Sequence, residues 1–443
     1  MATSDIQTET WATAGARLEI APNPAFIDED VALRVRGLPP NARVTIRASV
    51  RDDAGMLWES RGVFVADALG NVDPAKQESQ EGTYRGIDAM GLFWSMKLER
   101  ATAKAQATFR KEGTEPDCMS LTADLADRPI ASGELTRRWL APETRIREVQ
   151  EEGLVGQLFV PPGRGPHRVV IVLGGSGGGY DIDKAAALSR HGFATLALAY
   201  FGVPSLPAWL HRVPLEYFER ALGWLGRQPE IDARRIGVLA ISRGSELALI
   251  LGSMFPQIGA AVAYAPSAVS WGSGGRDKAT GEVIPCWTWQ DRPLPFAPLP
   301  LRGFIARSAV PVAVMKRPVK FRNLFRAALR NRQAVKDAAI PAERMSGPIL
   351  LISGGDDHVW PAAEMAERIV ARLRANRFAH GVEHVHYAKA GHELRYPFLP
   401  TTTRTSRSAS MKFPISFGGT AEADAEAQKD AWRRAVAFLD KAL

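Results

Sequence analysis

The chain has 443 residues, 46% hydrophobic and 23% charged, proportions that fit a globular protein of two or three domains and exclude disordered, collagen-like and fibrous classes. Its two cysteines, Cys118 and Cys286, are far apart; they exclude a disulfide framework and a Cys-rich zinc module, and nothing requires a bridge between them. A formal charge of +8, mostly from arginine, fits nucleic acid, an anionic surface or a phosphorylated small molecule. No zinc-finger spacing, RNP-like aromatic run or long basic arm supports the first of these.

In chain order, the opening MATSDIQTET is polar and carries no secretory pattern. Residues 15–140 read as strands and turns. Arg17–Ile20, Val31–Val35, Val44–Val50 and Gly62–Val65 alternate with period two. Turn signals at Pro22-Asn23-Pro24, Gly37-Leu38-Pro39-Pro40, Asp52-Asp53-Ala54-Gly55 and Leu69-Gly70-Asn71 separate them. Short strands spaced this way predict a β-sandwich of immunoglobulin-like type, with a structural or lid-supporting role. Trp139–Arg147 reads as a hinge.

From about residue 145 glycine-rich turns separate buried strands from amphipathic helices. Strands are predicted at Arg168–Leu173, Phe193–Ala199, Arg235–Ile241, Ala260–Tyr264, Pro348–Ser353 and Glu383–Tyr387. Helices are predicted at Lys184–His191, Leu215–Gly226, Glu246–Met254, Ala362–Ala375 and Gln428–Leu443. Such alternation gives an α/β architecture, a parallel sheet with helices on both faces. About 266–346, rich in proline and tryptophan and ending in a basic run, interrupts it and reads as a lid insertion. The longest apolar strand-like run, Val169–Leu173, is far short of the roughly 20 residues that span a bilayer, so no stable membrane insertion is expected. The final Lys441-Ala442-Leu443 lacks a peroxisomal address, and a cytoplasmic protein is the expectation.

One strand–turn–helix stretch carries chemistry. Ala240-Ile241-Ser242-Arg243-Gly244 is G-x-S-x-G with alanine at the first position. A nucleophile on such a turn stands clear of the sheet, and small residues two before and two after it let strand and helix approach. Ser242 is the candidate nucleophile. The competing reading is an ordinary serine N-cap, and Ser245 is the weaker alternative.

A serine nucleophile needs a base, and the base an orienting acid, in the chain order serine, acid, histidine. Of eight histidines, His167, His191 and His211 precede Ser242. His358 adjoins an acid and is followed directly by Val359-Trp360-Pro361, and His380, His384 and His386 flank or occupy a strand. His392 follows the strand ending at Tyr387, in the loop Ala388-Lys389-Ala390-Gly391, where such sheets place catalytic groups. It is the candidate base. The loop Gly355-Asp356-Asp357-His358-Val359-Trp360-Pro361 offers two carboxylates; Asp357 is preferred as the acid and Asp356 as a turn residue or N-cap.

An oxyanion hole requires backbone N–H groups aimed at the developing charge. Arg243, next to the nucleophile, is expected to supply one. The second is expected from Leu173-Gly174-Gly175-Ser176-Gly177-Gly178-Gly179, through Ser176 or else Gly175. A phosphate-cradling loop competes, but the Lys-Ser/Thr ending of a P-loop is missing, as is the acidic residue a Rossmann site needs. The run Lys316–Arg332 contains no acid. It reads as a solvated helix face or, through Arg322, Arg326 and Arg330, as a seat for an anionic group such as a phosphorylated thioester carrier.

These residues resemble those of the family that joins acyl-CoA thioesterases with bile acid-CoA:amino acid N-acyltransferase. In the first half the resemblance rests on Gly86-Ile-Asp-Ala-Met90-Gly91-Leu92-Phe93-Trp94-Ser95, Asp52-Asp53-Ala54-Gly55 and Gly70-Asn71-Val72-Asp73. In the second it rests on Leu173–Gly178, His191–Tyr200, Leu215–Glu219, Gly355–Trp360, Gly391-His392-Glu393-Leu394 and Phe417-Gly418-Gly419. It covers roughly residues 15–440. It implies an N-terminal β-sandwich (15–140), a C-terminal α/β-hydrolase domain (145–443) and a triad on Ser242, Asp357 and His392. Ala240 departs from the usual glycine, and the stretch Trp271–Arg332 matches poorly.

The expected activity is therefore hydrolysis of an acyl-CoA-type thioester through an acyl-Ser242 intermediate, with no metal and no cofactor. The alternatives are acyl transfer to an amine or alcohol, or an esterase activity on a non-CoA substrate, on the same residues. A third is an inactive binding protein for acyl or phosphorylated ligands. The expected partner is a small-molecule thioester rather than nucleic acid.

Overall fold

A computed structural model describes residues 15–99, 108–304, 317–406 and 414–443. The described residues form two compact units. One comprises 15–99 and 115–138; the other comprises 108–114 and 139–443. The opening decapeptide and Lys316, both read above, lie outside the described residues.

The first unit is built on antiparallel strands. Arg43–Arg51 pairs with Leu57–Val65 on one side and Asp117–Leu125 on the other, and Asp117–Leu125 pairs in turn with Arg128–Arg138. Arg17–Ala21 and Ala32–Arg36 form a separate two-stranded sheet. Alternation decides the facing: Val44, Ile46, Ala48 and Val50 are buried, and the residues between them are not. The hairpin 117–138 was not expected from the sequence. Its turn is Ala126-Asp127, with φ of 47° and 59°, the twist that two-residue hairpins need. Neither residue announces a turn as Asn-Gly would.

The second unit holds one eight-stranded sheet. Its strands are β1 (Arg145–Val149), β2 (Val155–Val160), β3 (His167–Leu173), β4 (Ala194–Ala199), β5 (Ile231–Ile241), β6 (Ile258–Tyr264), β7 (Ile349–Gly354) and β8 (Val382–Tyr387). They lie in the order β1-β2-β4-β3-β5-β6-β7-β8. β2 runs antiparallel to both neighbours, and the remaining pairs are parallel. This is the α/β-hydrolase sheet. β4, β6 and β7 are buried along their whole length, as expected of parallel strands covered on both faces.

Helices connect the strands: Ile182–Ser189, Glu216–Gly226, Arg243–Met254, Ala362–Ala375 and the long closing helix Ala421–Ala442. The last begins seven residues before the predicted start, capped by the Thr420 side chain, which accepts the Ala423 N–H. Between β6 and β7 the chain leaves the sheet to form two short hairpins and the helices Arg322–Ala328 and Arg332–Asp337. The segment 108–114, predicted to lie in the first half, belongs to the second unit. There Phe109 O accepts from Arg395 Nη1 at 3.3 Å, and Lys111 Nζ sits 5.6 Å from the centre of the Trp139 ring. No helix among the described residues is long and apolar enough to cross a membrane.

Candidate active site

Ser242 is the single residue between β5 and the helix Arg243–Met254. Its backbone is at φ 59°, ψ −122°, a region that costs a non-glycine residue about 1–3 kcal/mol. Neighbours hold it there. The Ser242 N–H donates to Tyr264 O at 2.9 Å, and Ser242 O accepts from the Ser245 and Glu246 N–H groups at 2.9 and 3.1 Å. The Ser245 hydroxyl is spent on the backbone, donating to Ser242 O (2.7 Å) and Ala265 O (3.1 Å), which removes it as a rival. Cys286 is also no rival: burial pushes its thiol up to about 12, so it stays protonated.

The small residues around Ser242 have measurable reasons. A Cβ on Gly244 would come within 2.3 Å of Gly174 O and 2.7 Å of Leu173 O, so the helix lies directly on the loop after β3. Ala240 is completely buried in β5, and its methyl group is accommodated.

His392 and Asp357 arrive on the loops after β8 and β7. His392 Nδ1 lies 2.7 Å from Asp357 Oδ2, with both side chains almost completely buried. A carboxylate only accepts, so Nδ1 carries the proton and Nε2 is left as the basic nitrogen. Asp357 Oδ1 is occupied by the N–H groups of Val359 (2.7 Å) and Trp360 (3.1 Å), which fix the carboxylate. Burial alone would lower the His392 pKa, but the Asp357 charge and hydrogen bond outweigh it, and the net shift is upward from 6.5. Asp356 faces elsewhere: Oδ1 is 3.0 Å from His358 Nε2, and Oδ2 accepts the Gly419 N–H at 3.1 Å. His384 and His386 both meet the Ser353 hydroxyl.

Trp360 ties the two halves of the site together. Its indole N–H donates to Ala265 O at 3.1 Å, the carbonyl that also takes the Ser245 hydroxyl, and its ring stands edge-on to His392 at 6.1 Å. Among the described residues no hydrogen bond joins Ser242 Oγ to His392. Such contacts commonly tighten only when substrate binds.

Of the expected oxyanion donors, the Arg243 N–H opens a helix and has no intrahelical acceptor. Gly175 lies against the nucleophile: a Cβ there would be 3.3 Å from Ser242 Cβ and 3.8 Å from Oγ. Ser176 is the next residue along and is exposed. The Arg243 side chain turns into the protein, pairing with Glu246 at 2.7 Å and donating to Gly272 O at 2.9 Å. Of the three arginines singled out in the basic run, Arg322 lies 3.6 Å from Asp356 and Arg326 lies 3.6 Å from Glu364, while Arg330 is exposed.

Two features escaped sequence reasoning. Glu246 is fully buried and accepts the Trp271 N–H (3.0 Å) and the Trp287 indole N–H (2.9 Å) besides its ion pair with Arg243. The closing helix also clamps the histidine loop. Asp424 Oδ1 accepts the Gly391 N–H at 2.7 Å, and Gln428 Nε2 donates to Glu393 O at 2.9 Å, one contact on each side of His392. In sequence both look like ordinary helix residues; only the glycine pair Gly418-Gly419 hinted at a close approach. Among the described residues no group of three or more histidine, cysteine or acidic side chains is arranged to hold a metal.

Two family models match the chain. "BAAT / Acyl-CoA thioester hydrolase C terminal" matches residues 213–443, and "Acyl-CoA thioester hydrolase/BAAT N-terminal region" matches residues 28–151. The chain is 33% identical to mouse (Mus musculus) mitochondrial acyl-coenzyme A thioesterase 2, over 98% of this chain and 91% of that protein. It is 32% identical to mouse acyl-coenzyme A amino acid N-acyltransferase 1, over 96% of this chain and 98% of that one. Among solved structures, the thermostable carboxylesterase EstE1 from a metagenomic library aligns with TM-score 0.40 and 17% identity, covering 68% of this chain and 90% of that one.

Proposed function

The chain belongs to the acyl-CoA thioester hydrolase/BAAT family, and we infer from this and from the geometry that it is a serine hydrolase cleaving an acyl-CoA-type thioester to a free acid and a thiol. The observation that carries the assignment of residues is the strained Ser242 junction, with the buried His392–Asp357 pair on the loops of the same sheet edge. In this reading Ser242 Oγ attacks the thioester carbonyl while His392 Nε2 takes its proton. Asp357 holds the imidazole in that tautomer and supports the cation that forms. The carbonyl oxygen becomes an oxyanion facing the N–H of Arg243 and that of Gly175 or Ser176. Collapse expels the thiol, which leaves with the proton from His392. Water, activated by the same histidine, then releases the acid and restores the Ser242 hydroxyl.

The family also contains amino acid N-acyltransferases. Serine at position 242 favours water as the acceptor. An oxygen ester is less open to amine attack than a thioester intermediate on cysteine would be. We further read the first unit as an immunoglobulin-like supporting sandwich, the second as the catalytic unit, and about 266–346 as a lid that shapes the acyl pocket.

The test is product analysis over a panel of acyl-CoA chain lengths, with and without a free amino acid as acceptor. Free acid and thiol in equal amounts, unchanged by the amine, is the expected result. Stoichiometric N-acyl product would make the protein a transferase.

A further inference from the structure

The insertion between β6 and β7 and the helix Ala362–Ala375 border a half-open cavity of about 440 Å³. Four cationic side chains line it, Arg332, Lys336, Arg368 and Arg372, and no acidic residue does. Each helix contributes two of them, four residues apart and so on one face. Like charges at that spacing repel unless each has a counter-charge. Arg372 is held by Glu343 at 2.5 and 2.6 Å, and Arg368 by Glu364 at 3.1 Å. Arg332 and Lys336 have no carboxylate within ion-pair distance among the described residues. The floor is apolar, formed by Val269, Leu329 and Ile369. Cations above an apolar floor suit a phosphorylated, partly apolar anion rather than a free inorganic ion.

One hydrophobic cluster links the cavity to the catalytic centre. Val269 and Leu329 belong to the same hydrophobic cluster as Trp360, and Trp360 stands edge-on to His392. In a CoA thioester a long flexible arm separates the reacting sulfur from the phosphates. A phosphate seat therefore has to lie apart from the nucleophile.

We propose that this cavity binds the phosphate-bearing nucleotide end of the thioester's carrier thiol, with Arg332 and Lys336 as its principal contacts. The proposal rests on the thioester reading of the site. It also moves the anion seat away from Arg322 and Arg326, which face Asp356 and Glu364.

The test compares one acyl group on coenzyme A and on N-acetylcysteamine, a thiol without phosphate. In the double variant Arg332→Gln/Lys336→Gln, kcat/KM for the CoA thioester should fall about tenfold or more, through KM. The ratio of the two substrates should collapse with it. Arg322→Gln/Arg326→Gln, outside the cavity, should preserve the ratio. Adenosine 3′,5′-bisphosphate should inhibit the wild type competitively against acyl-CoA, and calorimetry should show its binding lost in the cavity variant. Added salt should weaken acyl-CoA binding more in the wild type.

An unchanged ratio with unchanged nucleotide binding overturns the site. Noncompetitive inhibition overturns it in favour of a separate effector. If the wild type hydrolyses no CoA thioester, the functional reading fails. The calorimetric arm still decides on the cavity: equal nucleotide binding in both proteins overturns it, and binding lost in the variant upholds a phosphate seat.

Discussion

The carboxylate of Asp424, in the first turns of the closing helix, accepts the backbone N–H of Gly391 at 2.7 Å, one residue before His392. Burial raises this carboxyl to about 7, and the Gly391 hydrogen bond opposes that shift only in part. The sign follows from linkage. A native pKa above the unfolded value of 3.8 means that the folded state binds the extra proton. The associated stability is full below about pH 4 and is lost as pH rises through 7. Asparagine keeps an oxygen for Gly391 but cannot ionise. Relative to the wild type, Asp424→Asn should therefore gain stability from pH 5 to pH 8, by on the order of 2–3 kcal/mol. Urea midpoints at the two pH values check this. An equal loss of stability at both would mean that the charged carboxylate is what holds the loop.

The neighbouring carboxylates Asp356 and Asp357 have opposite expected roles. Asp357→Asn should lower kcat by roughly a thousandfold or more, because His392 loses both its tautomer and its counter-charge. Asp356→Asn, which disturbs the contact with His358, should cost far less. The base must be neutral to act, so kcat/KM should fall as pH drops through the His392 pKa. That limb should lie above 6.5, since the net shift is upward. In Asp357→Asn the residual activity should show the limb displaced to lower pH. A limb unmoved by the substitution would detach His392 from Asp357.

The buried pair Arg243–Glu246 joins the helix after Ser242 to the hairpins of the insertion. Glu246→Leu strands a buried guanidinium and should cost about 3–5 kcal/mol in denaturant unfolding. Adding Arg243→Leu should cost less than the sum of the two single variants. Strict additivity would show that the charges act independently.

The groups around Ser242 were legible because each element carries its own local signature. A strand, a small residue, a serine and a glycine before a helix have few other meanings, and a glycine loop after a late strand localises His392. Asp357 is the acid that the sequence prefers over Asp356, and in the structure Asp357 meets His392 and Asp356 meets His358. Asp424 was not legible. An acid in the first turns of a helix is what the helix dipole favours anyway, and only the fold brings Gly391 to it. The hairpin 117–138 was missed for a similar reason, since Ala126 and Asp127 adopt positive φ without glycine. The cationic cavity combines residues 332, 336, 368 and 372 from two helices on either side of β7, so no local run of sequence contains it. The basic run drew attention instead to Arg322 and Arg326, which the structure pairs with carboxylates.

The central claim is that Ser242 carries the acyl group, and the most direct measurement is rapid-quench mass spectrometry during turnover of the acyl-CoA that the panel shows to be hydrolysed fastest. The account predicts one acyl group per chain, on the peptide that contains Ser242. Ser242→Ala should show no such adduct, should lose at least about a thousandfold in turnover and should keep its fold. An adduct on another residue, or near-wild-type turnover in the purified Ser242→Ala protein, would contradict it.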